Sequence, residues 1–514
     1  MESNSVERAT LCCLFAIIIL AIVMMFACAY FMTVGTDEAW VLMGIRSCFE
    51  PIREGFSSHL IFTSGGVFTI VQSLVTLIVA DSIFVHRLFP LFSMLAVFAI
   101  SGSLVCGQGL TRCTLYAALI PAVLLIGIPG TLIVGTTALG TAPAFLLLLL
   151  ASRYWFSTEG RRPSVVIAGL LFGLAAATRM DVVMFAPALI VHAVIFPRTS
   201  RPKAILEALV VALIGIAILF ANQRLHGAFN AVPPVDTNTG TSTGVSGNLL
   251  DYPRLLNKFL IANSMLPLGV IVAISLLVFH RFGEKQDRHW QSFLVCFGII
   301  AWAAWVVRAP IPHIRYLWPS LASFGVLAGI NLARLCTREN ASVWLRVFCV
   351  GVSVGFAFDG LGTTFRHLVC GQSDFVAWEY SREVGIDYYQ RFQQRMDETK
   401  ISSFLRESTS GKDVFVVGPP FRYRYLGGVP CFKMTEARES QRESILLLGP
   451  EVGTFIYLRP SAYQLIEETC TPIAEIGEYS AFRFESVSDL RSTQPFVRAG
   501  YYAHPHSKPW FGMP

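Results

Sequence analysis

The chain has 514 residues, of which 54% are hydrophobic and 14% charged, and its mean hydropathy is +0.57. A soluble globule of that make-up would expose large apolar patches, so the solvent that fits is lipid. The formal charge of +6 is modest for this length, and Lys and Arg fall in short clusters between apolar runs, which excludes nucleic acid as a partner and suits topology signals instead.

Taken in chain order, the candidate membrane spans are Leu11 to Val34, Leu60 to Ala80, Leu88 to Gly107, Leu115 to Gly130, Val134 to Tyr154 and Ser164 to Thr178. They continue with Val182 to Phe196, Ala204 to Ala221, Ile261 to Phe279, Trp290 to Val307, Tyr316 to Leu335 and Val343 to Leu361, twelve segments in all. The first run is too long for the apolar core of a signal peptide and has no small-residue cleavage site after it, so it reads as a retained helix. The twelve cysteines are scattered without metal-ligand spacing, and those of the membrane part read as small apolar fillers.

Basic clusters at Arg112, at Arg153, Arg161 and Arg162, at Arg198, Arg201 and Lys203, at Arg281, Lys285 and Arg288, and at Arg334 and Arg338 alternate with loops poorer in Lys and Arg. The positive-inside rule then puts the N-terminus and these clusters in the cytoplasm. The loops around Asp37, Gly135, Arg179, Asn230 and His313, with the tail, face outward. Opposite sides for the two termini require an odd number of crossings, so one of the twelve segments does not cross. The excess lies between His59 and Arg112, where a loop with Asp81, His86 and Arg87 separates two runs and makes one of them re-entrant, split or flat. Eleven full crossings are expected.

The interruption from Asn222 to Leu260 carries a nearly uncharged stretch rich in turn formers and reads as an outer loop. From about Phe365 charge returns at ordinary density. There, helical spacing over Arg382 to Glu407, strand patterns at Asp413 to Val417 and Thr454 to Leu458, and a terminal hairpin at Glu475 to Phe484 indicate a small α/β domain. The expected organisation is a polytopic α-helical membrane domain over residues 1–364, with 11 to 12 transmembrane helices, and a soluble extracytoplasmic α/β domain over residues 365–514.

Within the first outer loop, Thr36-Asp37-Glu38-Ala39-Trp40 sets two adjacent carboxylates beside a membrane helix, and an imperfect apolar stripe follows through Ser47. This pattern suits an amphipathic helix at the interface, whose dipole alone would stabilise the acidic pair in its first turn.

That acidic pair resembles, in place and type, the one in the first extracytoplasmic loop of the GT-C glycosyltransferases, a family that includes bacterial lipid A aminoarabinose transferases and protein O-mannosyltransferases. Two further stretches are similar to the family in the same order. Gly169-Leu170-Leu171-Phe172-Gly173-Leu174-Ala175-Ala176-Ala177-Thr178-Arg179 resembles its GLLxGLAxLTR stretch, and His313-Ile314-Arg315-Tyr316-Leu317-Trp318-Pro319 resembles its HxRYLxP stretch. The resemblance implies a membrane glycosyltransferase of hexosyl or pentosyl type, which moves a sugar from a polyprenyl-phosphate donor to an extracytoplasmic lipid, glycan or protein acceptor by an inverting displacement. It also implies Asp37 as the base, with Glu38 second. A divalent metal bridging carboxylate and phosphate, as in some relatives, stays open, although no DxD motif or His cluster is present and no metal ligands are assigned.

A lipid-anchored phosphate at the membrane surface needs cationic partners. The topology offers Arg179, Arg308, His313 and Arg315 on that side. For Arg315 the alternative is an anchor that snorkels to headgroups, and for Arg179 an internal ion pair with Asp181. Trp40 and Tyr316 are the expected sugar or acceptor contacts. With Trp302, Trp305 and Trp318 they equally suit an interfacial aromatic belt. Arg224, His226, Asp236 and Asp251 of the long outer loop are further acceptor candidates.

Two other classes remain beside the enzyme. One is a transporter or flippase, which the absence of an internal repeat and the outward tail oppose, and the other is an inactive relative serving as an assembly subunit. The short N-terminus, without a retrieval signal at the other end, points to a bacterial inner membrane rather than the endoplasmic reticulum.

Overall fold

The computed structural model describes residues 2–32, 36–47, 66–79, 82–103, 112–128, 130–156, 164–197, 199–228, 285–308, 314–337 and 341–370. Beyond these it describes 400–408, 414–416, 423, 426–429, 431–433, 444–448, 456–458, 468, 470–476, 479–484 and 497–499. Packing divides the chain into two units, one of Met1–Tyr30 with Gly44–Phe365 and one of Phe31–Met43 with Arg366–Pro514.

The helices are α1 (Glu2–Phe31), α2 (Thr36–Ser47), α3 (Gly66–Ile78), α4 (Ile83–Ser103), α5 (Arg112–Gly127), the single turn α6 (Thr131–Val134) and α7 (Thr141–Trp155). They continue with α8 (Val165–Thr178), a 3₁₀ turn at Met180–Met184, α9 (Phe185–Ile195), α10 (Arg201–Ala228), α11 (Lys285–Arg308), α12 (Ile314–Thr337) and α13 (Val343–Cys370). Eleven of the twelve apolar segments coincide with helices, and Ile261 to Phe279 lies outside the described residues. Among the described residues five stretches are long and apolar enough to cross a membrane: Arg8–Phe31, Ile83–Ser103, Arg201–Asn222, Trp318–Thr337 and Val343–Gly362. The protein is a multi-pass membrane protein.

Two boundaries differ from expectation. His86 and Arg87 are not in a loop. Ser82 accepts from the Val85 amide at 3.3 Å and caps α4, which places both residues in the first turns of that helix, His86 fully buried and Arg87 1% exposed. Hydropathy alone pushed that helix start to Leu88, because a charged residue ends an apolar window. In the same way α10 continues to Ala228, through Asn222-Gln223-Arg224-Leu225, residues of adequate helix propensity that a hydropathy window rejects.

Lipid gives no hydrophobic drive between helices, so close contact needs small residues. Gly169 and Gly173, one turn apart on α8, face Ile214 and Ile218 of α10: a Cβ on Gly169 would lie 2.8 Å from Ile214 Cβ, and one on Gly173 would lie 2.5 Å from Ile218 Cδ1. Gly215 of α10 returns the fit by receiving the Phe172 ring. The glycines of the GLLxGLA-like stretch are therefore a packing device.

In the second unit a five-stranded sheet has the order β2-β1-β3-β6-β5, with β1 (Val414–Val416), β2 (Cys431–Lys433), β3 (Ser444–Leu448), β5 (Thr471–Ile476) and β6 (Tyr479–Phe484). β1 runs parallel to β2 and β3, while β3 pairs antiparallel with β6 and β5 with β6. β4 (Ile456–Leu458) and β7 (Val497–Ala499) form a separate antiparallel pair. Residues 400–408 are helical, and Ile401 and Leu405, one turn apart, join Val414, Cys431, Ile445, Leu447 and Ala481 in one buried cluster. The expected strand at Asp413 and the hairpin at Glu475 are present. β2, β3 and β7 are additional.

Candidate active site

The site region is built on a break in the membrane helices. After α5 ends at Gly127 the chain turns through Gly130, whose φ of 77° is costly for any residue with a Cβ, makes the single turn α6, and resumes as α7 at Thr141. The whole stretch from Gly130 to Phe145 is buried. Buried polar groups need partners, and here the threonines turn inward: Thr136 Oγ1 donates to Leu132 O at 2.9 Å and Thr137 Oγ1 to Ile133 O at 3.1 Å.

Around this turn the first unit gathers several helix ends. A Cβ on Gly135 would lie 2.7 Å from Met25 Cε of α1 and 2.9 Å from Met94 Cβ of α4. Gly140 lies against the end of α8, where an added Cβ would be 2.8 Å from Thr178 Cγ2 and 3.5 Å from Arg179 Cγ. Trp318, 1% exposed on α12, donates its indole N–H to Thr131 Oγ1 at 3.0 Å and sets its ring edge-on to Phe145 of α7, with centroids 5.1 Å apart.

Arg179 stands where α8 stops. Its backbone is extended (φ −150°, ψ 124°), its amide still donates to Ala175 O at 2.8 Å, and its side chain is half-buried. Arg315 lies in the first turn of α12, three residues before Trp318, and Pro319 offers no N–H to its carbonyl. Arg308 ends α11, whose antiparallel partner α12 is secured by Ser320 Oγ donating to Gly298 O at 2.6 Å. The helix positions of Arg179, Arg308 and Arg315 thus share one end of the first unit, the end towards which α1 runs.

Asp37 and Glu38 occupy the first turn of α2, where the helix dipole favours carboxylates, and Glu38 is 2% exposed. For Asp37, Trp40, Arg308, Arg315 and Tyr316 only the helix positions are described, and His313 lies outside the described residues. Trp318 departs from the belt reading because its N–H has a partner inside the bundle, whereas Trp302, 36% exposed, stays on the helix surface. Among the described residues no three His, Cys, Asp or Glu side chains come together as metal ligands.

Not anticipated from the sequence is a buried polar group formed by α3 and α4. Arg87 Nη1 donates to Ala29 O at 3.1 Å, Gln72 Nε2 to His86 O at 2.7 Å, and Ser73 Oγ to Ile45 O at 2.9 Å.

The fold is one seen in solved structures of another protein. ArnT from Cupriavidus metallidurans, in a crystal structure bound to undecaprenyl phosphate, superposes with a TM-score of 0.58 at 13% sequence identity, covering 91% of this chain and 97% of that one. Its apo structure superposes with a TM-score of 0.56 at 12% identity over 92% and 98% of the two chains. No family model and no curated protein sequence matches the chain.

Proposed function

We propose that this protein is a membrane glycosyltransferase that moves a sugar from a polyprenyl-phosphate donor to an acceptor outside the cytoplasm. The observation that carries the reading is the agreement in fold, over 91% of this chain, with a protein whose structure holds undecaprenyl phosphate, in a chain whose α2 carries Asp37 and Glu38 in its first turn. In this reading residues 1–364 form the membrane domain and residues 365–514 an extracytoplasmic one, in a bacterial inner membrane.

The chemistry is a single displacement. The acceptor O–H or N–H gives its proton to the Asp37 carboxylate while its heteroatom attacks the anomeric carbon; the bond from that carbon to the phosphate oxygen breaks, and polyprenyl phosphate leaves with the electron pair. Inversion follows from attack opposite the leaving group. Glu38 is the alternative base. Arg315, with Arg179, Arg308 and His313, would neutralise the departing phosphate, and Trp40 and Tyr316 would contact sugar or acceptor.

The test uses membrane vesicles supplied with radiolabelled polyprenyl-phosphate sugars, comparing wild type with Asp37→Asn and Glu38→Gln. Label should reach a lipid, glycan or protein acceptor in wild type, and Asp37→Asn should lower transfer at least about 100-fold. Equal transfer by all three proteins would remove the proposed base.

A further inference from the structure

An arginine with 1% exposure inside an apolar helix is costly, so its position calls for a reason. Arg87 lies in the first turns of α4 and its Nη1 reaches across to the carbonyl of Ala29, two residues before α1 ends at Phe31. The last carbonyls of a helix have no intrahelical donor, and a cation at that end meets the negative pole of the helix dipole. Arg87 is thus a tertiary cap on α1. One residue on, the Tyr30 ring meets Phe84 of the same α4 edge-on, with centroids 5.9 Å apart.

The other end of the segment is held by the preceding helix. Ser73 of α3 donates to the carbonyl of Ile45, in the last turn of α2, at 2.9 Å, as well as to its own Thr69 O at 2.7 Å. α3 and α4 are themselves tied together by Gln72 Nε2, which donates to His86 O at 2.7 Å, the residue next to Arg87. One buried polar unit therefore grips the chain at Ala29 and at Ile45, the two sides of the segment that carries Asp37 and Glu38.

We infer that Arg87, assisted by Ser73, is a positioning residue that fixes the course of the acidic segment by anchoring both its ends. The anchoring stands on the geometry above, while its catalytic consequence rests on the glycosyl-transfer reading.

The experiment is hydrogen exchange on the full chain in nanodiscs, with sugar transfer measured in parallel. Arg87→Met keeps the bulk and removes the donors; Arg87→Lys keeps the charge and one donor direction. In Arg87→Met the amides from Tyr30 to Ser47 are expected to exchange at least about 10-fold faster, with α7 and α12 unchanged and Arg87→Lys within about twofold of wild type. Ser73→Ala is expected to affect the Ile45 side of the segment alone. In transfer assays Arg87→Met should lower kcat about 10-fold or more and leave the donor KM within about twofold, with kcat restored in Arg87→Lys. Unchanged exchange in Arg87→Met, uniform acceleration through every helix, or exchange in Arg87→Lys as fast as in Arg87→Met would overturn the anchoring. A raised donor KM with kcat intact would overturn the positioning role, since it would make Arg87 a donor-binding group. Should wild type transfer no sugar, the glycosyl reading falls and the exchange pattern alone decides the anchoring.

Discussion

Trp318 donates its indole N–H to Thr131 Oγ1 across 3.0 Å, tying the first turns of α12 to the buried turn between α5 and α7. Arg315 lies three residues earlier on the same helix, so this bond fixes the turn from which it projects. Trp318→Phe keeps an aromatic ring beside Phe145 and leaves the threonine hydroxyl without its donor. The expected loss is about 1–2 kcal/mol, read as a lower unfolding midpoint in detergent. Trp318→Ala also empties a buried volume and is expected to cost about 3–5 kcal/mol.

Charge at the start of α12 is the basis of a second expectation. Arg315→Gln should raise the donor KM about 10-fold or more and weaken inhibition by free polyprenyl phosphate to a similar degree, while Arg315→Lys should recover part of both. Titration of transfer with the lipid phosphate as competitor measures this. An unchanged KM would assign Arg315 to the membrane interface.

The glycine face of α8 gives a third. Gly173→Leu would drive a side chain into Ile218, and Gly169→Val one into Ile214, at a seam with no slack. Each is expected to lower stability by about 1–3 kcal/mol or more through overpacking. Leu170→Ala, at an exposed position of the same helix, should change it little. Thermal unfolding followed by size-exclusion chromatography separates the two outcomes.

A fourth concerns two buried amides. On α11 Gln291 lies two turns from Gly298, and on the facing stripe of α12 Asn331 lies two turns from Phe324, whose ring packs on Gly298. Antiparallel helices therefore bring Gln291 and Asn331 to the same level. Among the described residues, Gln291 Nε2 and Oε1 and Asn331 Nδ2 are buried and meet no hydrogen-bond partner. Replacing both by Leu should raise the unfolding midpoint, by about 1–3 kcal/mol for each amide relieved. A fall instead would mean that the pair earns its place through bound water.

Much of this architecture was legible because a long apolar run is itself the physical requirement for residing in lipid, and so α1, α8 and α13 follow directly from Leu11 to Val34, Ser164 to Thr178 and Val343 to Leu361. The acidic pair is a candidate by its place after the first run, and the structure puts it in the first turn of α2. Other features depend on tertiary partners that no local pattern shows. Arg87 looked like a loop residue until Ala29 supplied its acceptor, and Trp318 looked like a belt residue until Thr131 supplied its own. β3, Ser444-Ile445-Leu446-Leu447-Leu448, has no polar alternation because it is central in its sheet, between β1 and β6, so a search for period two passes over it. The glycines of α8 were read as part of a family resemblance, and their physical role emerged only with Ile214 and Ile218 opposite them.

The interlock of Gly169 and Gly173 with Gly215 also bears on how the chain is made. Both helices of that pair are complete at Ala228, before half of the 514 residues have left the ribosome. A contact that depends on fit alone can close as soon as its two surfaces share the bilayer, and domains assemble from the N-terminal side during synthesis. The α8–α10 seam is therefore available as an early template, against which α11 and α12 arrive second, bringing the arginine-bearing end of the unit together last.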